Sequence, residues 1–268
     1  PGVKNANANL VVRDGSFAVD FDANEGELDF GSLFNRPIPY QSIASKITGV
    51  ISDDDWYVNV EKLALTSSEL QLDGSLQLSQ YVEQPLNMAL LASISNGDVQ
   101  YANHYYPEEL MGEDLVSYLN NALVKGQLTQ ANVVINGPID KFPFANNEGV
   151  FVVDAELTDG IFRFDEQWPG ITAFDANLNF TNDSMLITAR SGVLSGLDVE
   201  GVTAAIDSLS EGQVLNVEAL FDQEAPASIT GLMNASPLAD SVGATLEELN
   251  IQGEVEGTFK LNLPLNSV

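Results

Sequence analysis

Apolar and polar residues alternate with a period of two along much of this chain. From Ile251 to Leu265 the odd positions read Ile251, Gly253, Val255, Gly257, Phe259, Leu261, Leu263 and Leu265, and the even positions are polar, charged or proline. Successive side chains of a strand point to opposite faces, so the spacing predicts a strand over 251–265 with one apolar and one wet face. At roughly 3.4 Å per residue such a strand would run about 50 Å. Leu70, Leu72, Gly74, Leu76 and Leu78 alternate with Gln71, Asp73, Ser75 and Gln77 in the same way. So do Phe151, Val153, Ala155 and Leu157, the shorter run Phe17, Val19 and Phe21, and the set Leu215, Val217, Ala219 and Phe221. Turn-forming residues punctuate the runs at Arg13-Asp14-Gly15, Ser52 to Asp55, Asn136-Gly137-Pro138, Thr158-Asp159-Gly160 and Glu211-Gly212. The pattern predicts a mainly β fold built on a large, meandering antiparallel sheet, strongly twisted or curled. A weak internal repeat, Ala44 to Leu78 against Ala176 to Leu197, reads as hairpin after hairpin with glycine near the turns.

Two segments switch to a helical period. After Pro107, the residues Met111, Leu115, Tyr118, Leu119 and Ala122 fall on one stripe; Glu108 and Glu109 sit in the first turn, Lys125 in the last, and Gly126 follows. This predicts a helix over 107–125. Ser236-Pro237 reads as the cap and first position of a second helix over 236–249, with Leu238, Val242, Leu246 and Leu249 on its apolar stripe. Both helices are amphipathic and need an apolar surface to lie against, which a one-faced sheet supplies.

Composition narrows the possible partners. With 44% hydrophobic residues in 268, the chain can bury a sizeable core. Its net charge of -29, from 39 acidic residues against 10 Lys plus Arg, repels nucleic acid and offers no polybasic segment for an anionic membrane surface. The reading is an acidic, solvated exterior. No cysteine is present, which removes disulfides, thiol nucleophiles and thiolate metal sites together. No apolar run reaches the length of a membrane span, and no signal peptide opens the chain. Beginning at Pro1 and ending just past an alternating run, the chain reads as a segment of a larger protein, any anchor lying outside it.

Catalytic constellations are sparse. His104 is the only histidine, so a histidine-rich zinc site cannot be assembled, and no Gly-x-Ser-x-Gly elbow accompanies it. Its setting, Tyr101-Ala-Asn-His-Tyr-Tyr-Pro, reads as an aromatic cluster tethering a helix. Asp20-x-Asp22-x-Asn24-x-Gly26 approaches a calcium loop, but glycine falls at the seventh position and Gly31 at the twelfth, so a solvated loop is expected. Asp53-Asp54-Asp55 reads as a turn before a strand starting at Trp56. Neither a P-loop nor a dinucleotide fingerprint occurs. No cofactor, metal site or catalytic residue is expected, and the chain reads as non-enzymatic.

From Tyr105 onward the order of short motifs resembles the central region of the YhdP family, AsmA-like envelope proteins of Gram-negative bacteria related in architecture to TamB. The residues that carry the likeness are Tyr105-Tyr106-Pro107, Met111, and Tyr118-Leu119-Asn120-Asn121-Ala122-Leu123 with Gly126. They continue through Asn136-Gly137-Pro138, Phe142-Pro143-Phe144, Gly149-Val150-Phe151, Phe162-x-Phe164, Trp168-Pro169 and Ser236-Pro237-Leu238. The likeness covers about residues 100–265; residues 1–99 share only the alternating style, which divides the chain into a β-repeat segment (1–99) and a family-like segment (100–268) of one continuous unit. The resemblance implies a half-open, taco-like β-groove, similar in outline to bridge-like lipid transfer proteins. It also implies a full-length protein anchored in the inner membrane and crossing the periplasm, and phospholipid movement between inner and outer membranes in support of the outer-membrane permeability barrier. It brings no catalytic residues.

Phospholipid acyl chains are therefore the expected partner, with envelope proteins as further candidates. The side chains expected to meet lipid are Leu70, Leu72, Leu76, Leu78, Phe151, Val153, Leu157, Leu215, Val217, Phe221, Val255, Phe259, Leu261 and Leu263. An envelope scaffold with unpaired edge strands, a carbohydrate- or calcium-binding β-module, and an ordinary closed β-core remain as alternatives.

Overall fold

The structure is a computed structural model and describes residues 2–108, 113–210, 214–249 and 251–264. Strands make up 59% of it and form one antiparallel sheet that is not closed into a barrel. In chain order they are β1 (Gly2–Val3), β2 (Ala6–Arg13), β3 (Ser16–Asp29), β4 (Ile38–Ile51) and β5 (Trp56–Thr66). Then come β6 (Gln71–Gln80), β7 (Asn87–Asp98), β8 (Leu123–Pro138), β9 (Val150–Phe162) and β10 (Ile171–Thr181). The last are β11 (Ser184–Leu194), β12 (Leu197–Asp198), β13 (Thr203–Ile206), β14 (Val214–Glu224) and β15 (Val255–Pro264). From β3 to β11 each strand lies beside its predecessor in sequence, and β13, β14 and β15 continue the order; β2 and β12 pair only with β3 and β11. This meander is the one the period-two runs predict.

Two compact units divide the chain: residues 1–116, 128–155 and 179–183 form the first, and residues 117–127, 156–178 and 184–268 the second. In the first, the hairpin β2–β3 turns on Asp14-Gly15, both at positive φ, with Arg13 opposite Ser16. That geometry is the primed two-residue turn that right-twisted strands favour. In the second, α2 (Pro226–Asn234) and α3 (Ala244–Leu249) pack Leu232, Met233, Ile229 and Leu246 against Leu197, Leu194 and Phe259.

Several local expectations are corrected. The first helix, α1, spans Glu113–Ala122, and β8 begins at Leu123, so Lys125 and Gly126 are strand residues. The reason is the neighbouring strand. Ala122 O accepts from Arg163 N at 2.8 Å, Lys125 Nζ meets Asp159 Oδ2 at 2.5 Å, and a Cβ on Gly126 would lie 2.7 Å from Leu157 Cδ1. Gly126 serves the close approach of β9, and it does not end the helix. Met111 and Glu109 lie outside the described residues, as do the Leu115 side chain, Glu211-Gly212 and Leu265.

The second helical stretch is broken. An additional helix, α2, starts at Pro226, a π-helical turn follows at Ala239–Gly243, and α3 closes the segment. Ser236 caps less than expected: its Oγ donates to Met233 O at 2.8 Å and accepts from Leu238 N at 3.1 Å, joining the two pieces. Pro226 at the first helical position was the available signal for α2. Asn136-Gly137-Pro138 ends β8 without turning, and Thr158-Asp159-Gly160 lies inside β9, where Asp159 takes φ 50°. Asp20–Gly26, expected as a loop, is part of β3.

Candidate functional site

Directly paired residues of an antiparallel sheet share a face, so the strand register maps the surface. In the first unit four rows cross β2 to β7 on one face. They are Val12–Phe17–Gly49–Val58–Leu78–Met88, Leu10–Val19–Ile47–Val60–Leu76–Leu90, Ala8–Phe21–Ser45–Leu63–Gly74–Ala92, and Ala6–Ala23–Ile43–Leu65–Leu72–Ile94. Every position but Ser45 is apolar or glycine. The opposite face carries rows such as Asn7–Asp22–Ala44–Ala64–Asp73–Ser93 and Arg13–Ser16–Val50–Tyr57–Ser79–Asn87. Six strands at about 4.8 Å spacing give the apolar face a width of about 24 Å.

Maintaining that face requires one irregularity. In β5 the residues on the apolar face are Trp56, Val58 and Val60, then Leu63 and Leu65, a change from even to odd positions. The register shifts between Lys46–Lys62 and Ile47–Val60, leaving Glu61 unpaired in the ladder. This bulge absorbs the extra residue, so both apolar sets face the same way. Glu61 points to Lys46, with Oε2 2.8 Å from Nζ, and that cation together with the Thr48 hydroxyl holds its carboxyl below the usual range.

Among the described residues, cover lies over one end of the face. Ala23, Ile43 and Leu65 are buried under Leu70, Ile38 and Tyr40, with Leu28, Phe34, Leu72, Ile94 and Tyr105 packed around them. A buried polar cluster fixes this cover. Glu69, 6% exposed, accepts from Tyr105 Oη at 3.1 Å, lies 2.9 Å from His104 Nδ1, and pairs with Arg36 Nη2 at 3.3 Å. Burial pushes the Tyr105 hydroxyl up to about 12, and Tyr106 beside it to about 12. His104 therefore anchors the short 3₁₀ helix Val99–Tyr105 over the sheet end, alongside the rings of Tyr101 and Tyr105.

Away from the cover, Val19, Ile47, Val58, Val60, Leu76, Leu78, Met88 and Leu90 are all only half-buried, and Leu10 and Val12 are exposed. Residues on the inner face of a sandwich would be buried by the opposing layer. Among the described residues no opposing layer buries these rows. Ser45, buried at 7% exposure among them, has a hydroxyl with no hydrogen-bond partner among the described residues.

The predicted contacts distribute unevenly. Leu72, Leu76 and Leu78 lie on the apolar face, whereas Leu70 belongs to the cover. Phe151 and Val153 of β9 are half-buried, the Phe151 ring 4.8 Å from that of Phe142, and Leu157 is fully buried at 3%. In the second unit Leu215, Val217 and Ala219 pair with Leu263, Leu261 and Phe259, which places Leu215, Val217, Phe259, Leu261 and Leu263 on one face. Leu215 is buried, Phe259 packs against the helices, and Val217, Leu261 and Leu263 are half-buried. Val255 pairs with Glu224 beyond a register shift, and the side chain of Phe221 lies outside the described residues. Strands β2, β4 and β7 also contribute to the apolar face, beside the Phe17, Val19 and Phe21 run of β3. The signal for β2 and β7 was present in the alternations Ala6, Ala8, Leu10, Val12 and Met88, Leu90, Ala92, Ile94. Among the described residues no group of three or more acidic or histidine side chains is placed to hold a metal ion, and no helix is long and apolar enough to cross a membrane.

A protein of this kind is an open antiparallel sheet with an uncovered aliphatic face. The family model described as YhdP protein matches residues 1–268, and the chain belongs to the YhdP family. The match includes residues 1–99, where the sequence motifs had shown only a shared style. Over 243 residues the chain is 30% identical to the "Intermembrane phospholipid transporter YhdP" of Escherichia coli (strain K12), covering 90% of this chain and 19% of that protein. The chain thus spans about a fifth of its curated relative. No solved structure matches it.

Proposed function

We propose that this chain is a stretch of the lipid-bearing surface of an intermembrane phospholipid carrier, with acyl chains lying on the open apolar face. The observation that carries the reading is the set of rows from β2 to β7, apolar throughout except at Ser45 and half-buried away from the covered end. Pulling a sixteen-carbon chain into water costs about 12 kcal/mol at roughly 0.8 kcal/mol per methylene. A carrier surface must offset that cost along its whole length. It does not need a deep local well, because a tight site would slow passage. Aliphatic side chains repeated from strand to strand meet both demands. The half-buried residues Val217, Leu261 and Leu263 of the second unit extend the same role in this reading, and Phe151 and Val153 of β9 join it. The kinship with a phospholipid transporter supports the substrate class, and a periplasmic location with an inner-membrane anchor elsewhere in the full-length protein belongs to the same proposal.

Native mass spectrometry of detergent-free protein after incubation with phospholipid vesicles tests it. The wild-type chain is expected to retain phospholipid. The pair Leu76→Asp and Leu90→Asp, adjacent on the open rows, is expected to fold and to lose it. Leu65→Asp, under the cover, is expected to unfold the first unit, because it buries an unpaired charge. A folded wild-type chain free of lipid, or lipid retained at wild-type level by the double variant, overturns the reading.

A further inference from the structure

The polar surroundings of the open face have a consequence for which headgroup a bound lipid carries. Neighbouring turns at the uncovered end of the first unit are tied into one rim. Ile51 N donates to Gly15 O at 2.9 Å, Val82 N to Asp55 Oδ1 at 2.8 Å, and Ile139 N to Leu86 O at 2.9 Å. The fixed charges along it are Asp14, Asp53, Asp54, Asp55, Glu83, Asp140 and Glu148, set against Arg13 and Lys141. Arg13 Nε lies 3.4 Å from Asp14 Oδ2, and Lys141 Nζ lies 3.9 Å from Asp140 Oδ2, so both cations already have a carboxylate beside them. At the covered end Arg36 is held by Glu69, and Lys4 is held by Glu27 at 2.5 Å. On the reverse face Lys46 is held by Glu61. The four apolar rows themselves carry no charged side chain.

We infer that the open face selects phospholipids with a zwitterionic, amine-bearing headgroup over those with a net negative one. The inference rests on the proposed lipid-bearing role and deepens it. Acyl chains on the apolar rows leave the headgroup near a rim whose net charge is negative, within a chain of net charge -29. An anionic headgroup there finds its phosphate unpaired and its net charge repelled. A zwitterionic headgroup carries no net charge to repel, and its ammonium group faces an excess of carboxylates. Selectivity of this origin comes from a field, so it must weaken as salt screens it.

The test uses the full 268-residue chain and vesicles holding equal amounts of phosphatidylethanolamine and phosphatidylglycerol with identical acyl chains. Both lipids are then presented on the same surface. Protein-bound lipid is counted by native mass spectrometry at 0.01 M and 1 M salt, where the Debye length falls from about 30 Å to about 3 Å. The expected result is an enrichment of phosphatidylethanolamine of about fivefold at low salt, approaching parity at high salt. Parity or enrichment of phosphatidylglycerol at low salt overturns the inference while leaving the lipid-bearing reading intact. An enrichment indifferent to salt overturns it too, because specific headgroup contacts would then be responsible. Absence of both lipids overturns the lipid-bearing reading and the inference with it.

Discussion

At the scale of single residues, Glu69 shows how a charge can be spent on closing one end of an apolar surface. It follows Ser67 in the turn between β5 and β6, where the Ser67 hydroxyl accepts from the backbone N–H of both Glu69 and Leu70 at 3.0 Å. The turn points the carboxylate inward, and Arg36, His104 and Tyr105 arrive from other turns to satisfy it. A buried carboxylate stripped of partners costs several kcal/mol, and buried donors stripped of their acceptor cost about 1–3 kcal/mol each. Glu69→Ala leaves His104 and Tyr105 around an apolar gap without that acceptor, releases the exposed Arg36, and is expected to destabilise the first unit by about 2–4 kcal/mol, read from the urea midpoint at constant slope. Glu69→Gln keeps one carbonyl acceptor and is expected to lose less. Equal stability of Glu69→Ala and wild type would mean that the cluster does not hold the cover. The aromatic setting of His104 was legible in the sequence, and the rings of Tyr101 and Tyr105 lie beside it. Glu69, 35 positions away, was not legible there, because nothing local in Ser67-Ser68-Glu69 distinguishes a buried carboxylate from a solvated one.

At the scale of elements, legibility followed the range of the forces involved. Strand alternation is local, since one wet and one apolar face fix which residues share a side, so the meander and its Asp14-Gly15 hairpin were readable. What ends or bends an element comes from its neighbour. Leu123 to Gly126 continue a helical stripe in sequence, yet β9 draws them into the sheet through Lys125–Asp159 and the contact of Gly126 with Leu157. Asp20–Gly26 resembles a loop by composition, but β4 pairs with it almost throughout. The β5 bulge is the case in which sequence and ladder agree most closely, because the switch from Val58 and Val60 to Leu63 and Leu65 marks where a residue must be left over. Deleting Glu61 removes that surplus residue. Trp56, Val58, Val60, Leu63 and Leu65 would then alternate without interruption, so the bulge-free strand keeps all five on one face. The deletion is expected to fold with its apolar face intact, at a cost close to that of Glu61→Ala, which keeps the bulge, loses only an exposed ion pair and is expected to cost under about 1 kcal/mol. Unfolding of the two variants side by side measures the difference, and a deletion that is insoluble or far less stable than the alanine would show that Glu61 is not a surplus residue between the two apolar sets.

At the scale of the whole chain, the same composition that leaves an aliphatic face open makes the remainder repel itself. The 39 acidic residues outnumber Lys plus Arg by 29, and the cations engaged at Lys4, Lys46, Lys125 and Lys260 neutralise only local carboxylates. Such an excess opposes association through the exposed Leu10, Val12, Ile51 and Val82, because approaching copies meet like charge first. The folded state bears a cost for this arrangement, since folding brings the carboxylates closer together than in the expanded chain. Salt relieves that cost in proportion to screening, while the surface ion pairs it also weakens are worth at most about 1 kcal/mol each. Repulsion dominates when negative charges outnumber positive ones nearly four to one. Raising NaCl from 0.01 M to 0.15 M is therefore expected to raise the thermal midpoint by several degrees, about 2–4 °C for each kcal/mol of repulsion removed in a chain of this size. The same addition is expected to promote association, which light scattering reads on the same sample as the barrier between copies falls. A midpoint that drops with salt would place the attractive pairs above the repulsive excess, and the acidic surface would then be stabilising the fold as well as protecting the open face.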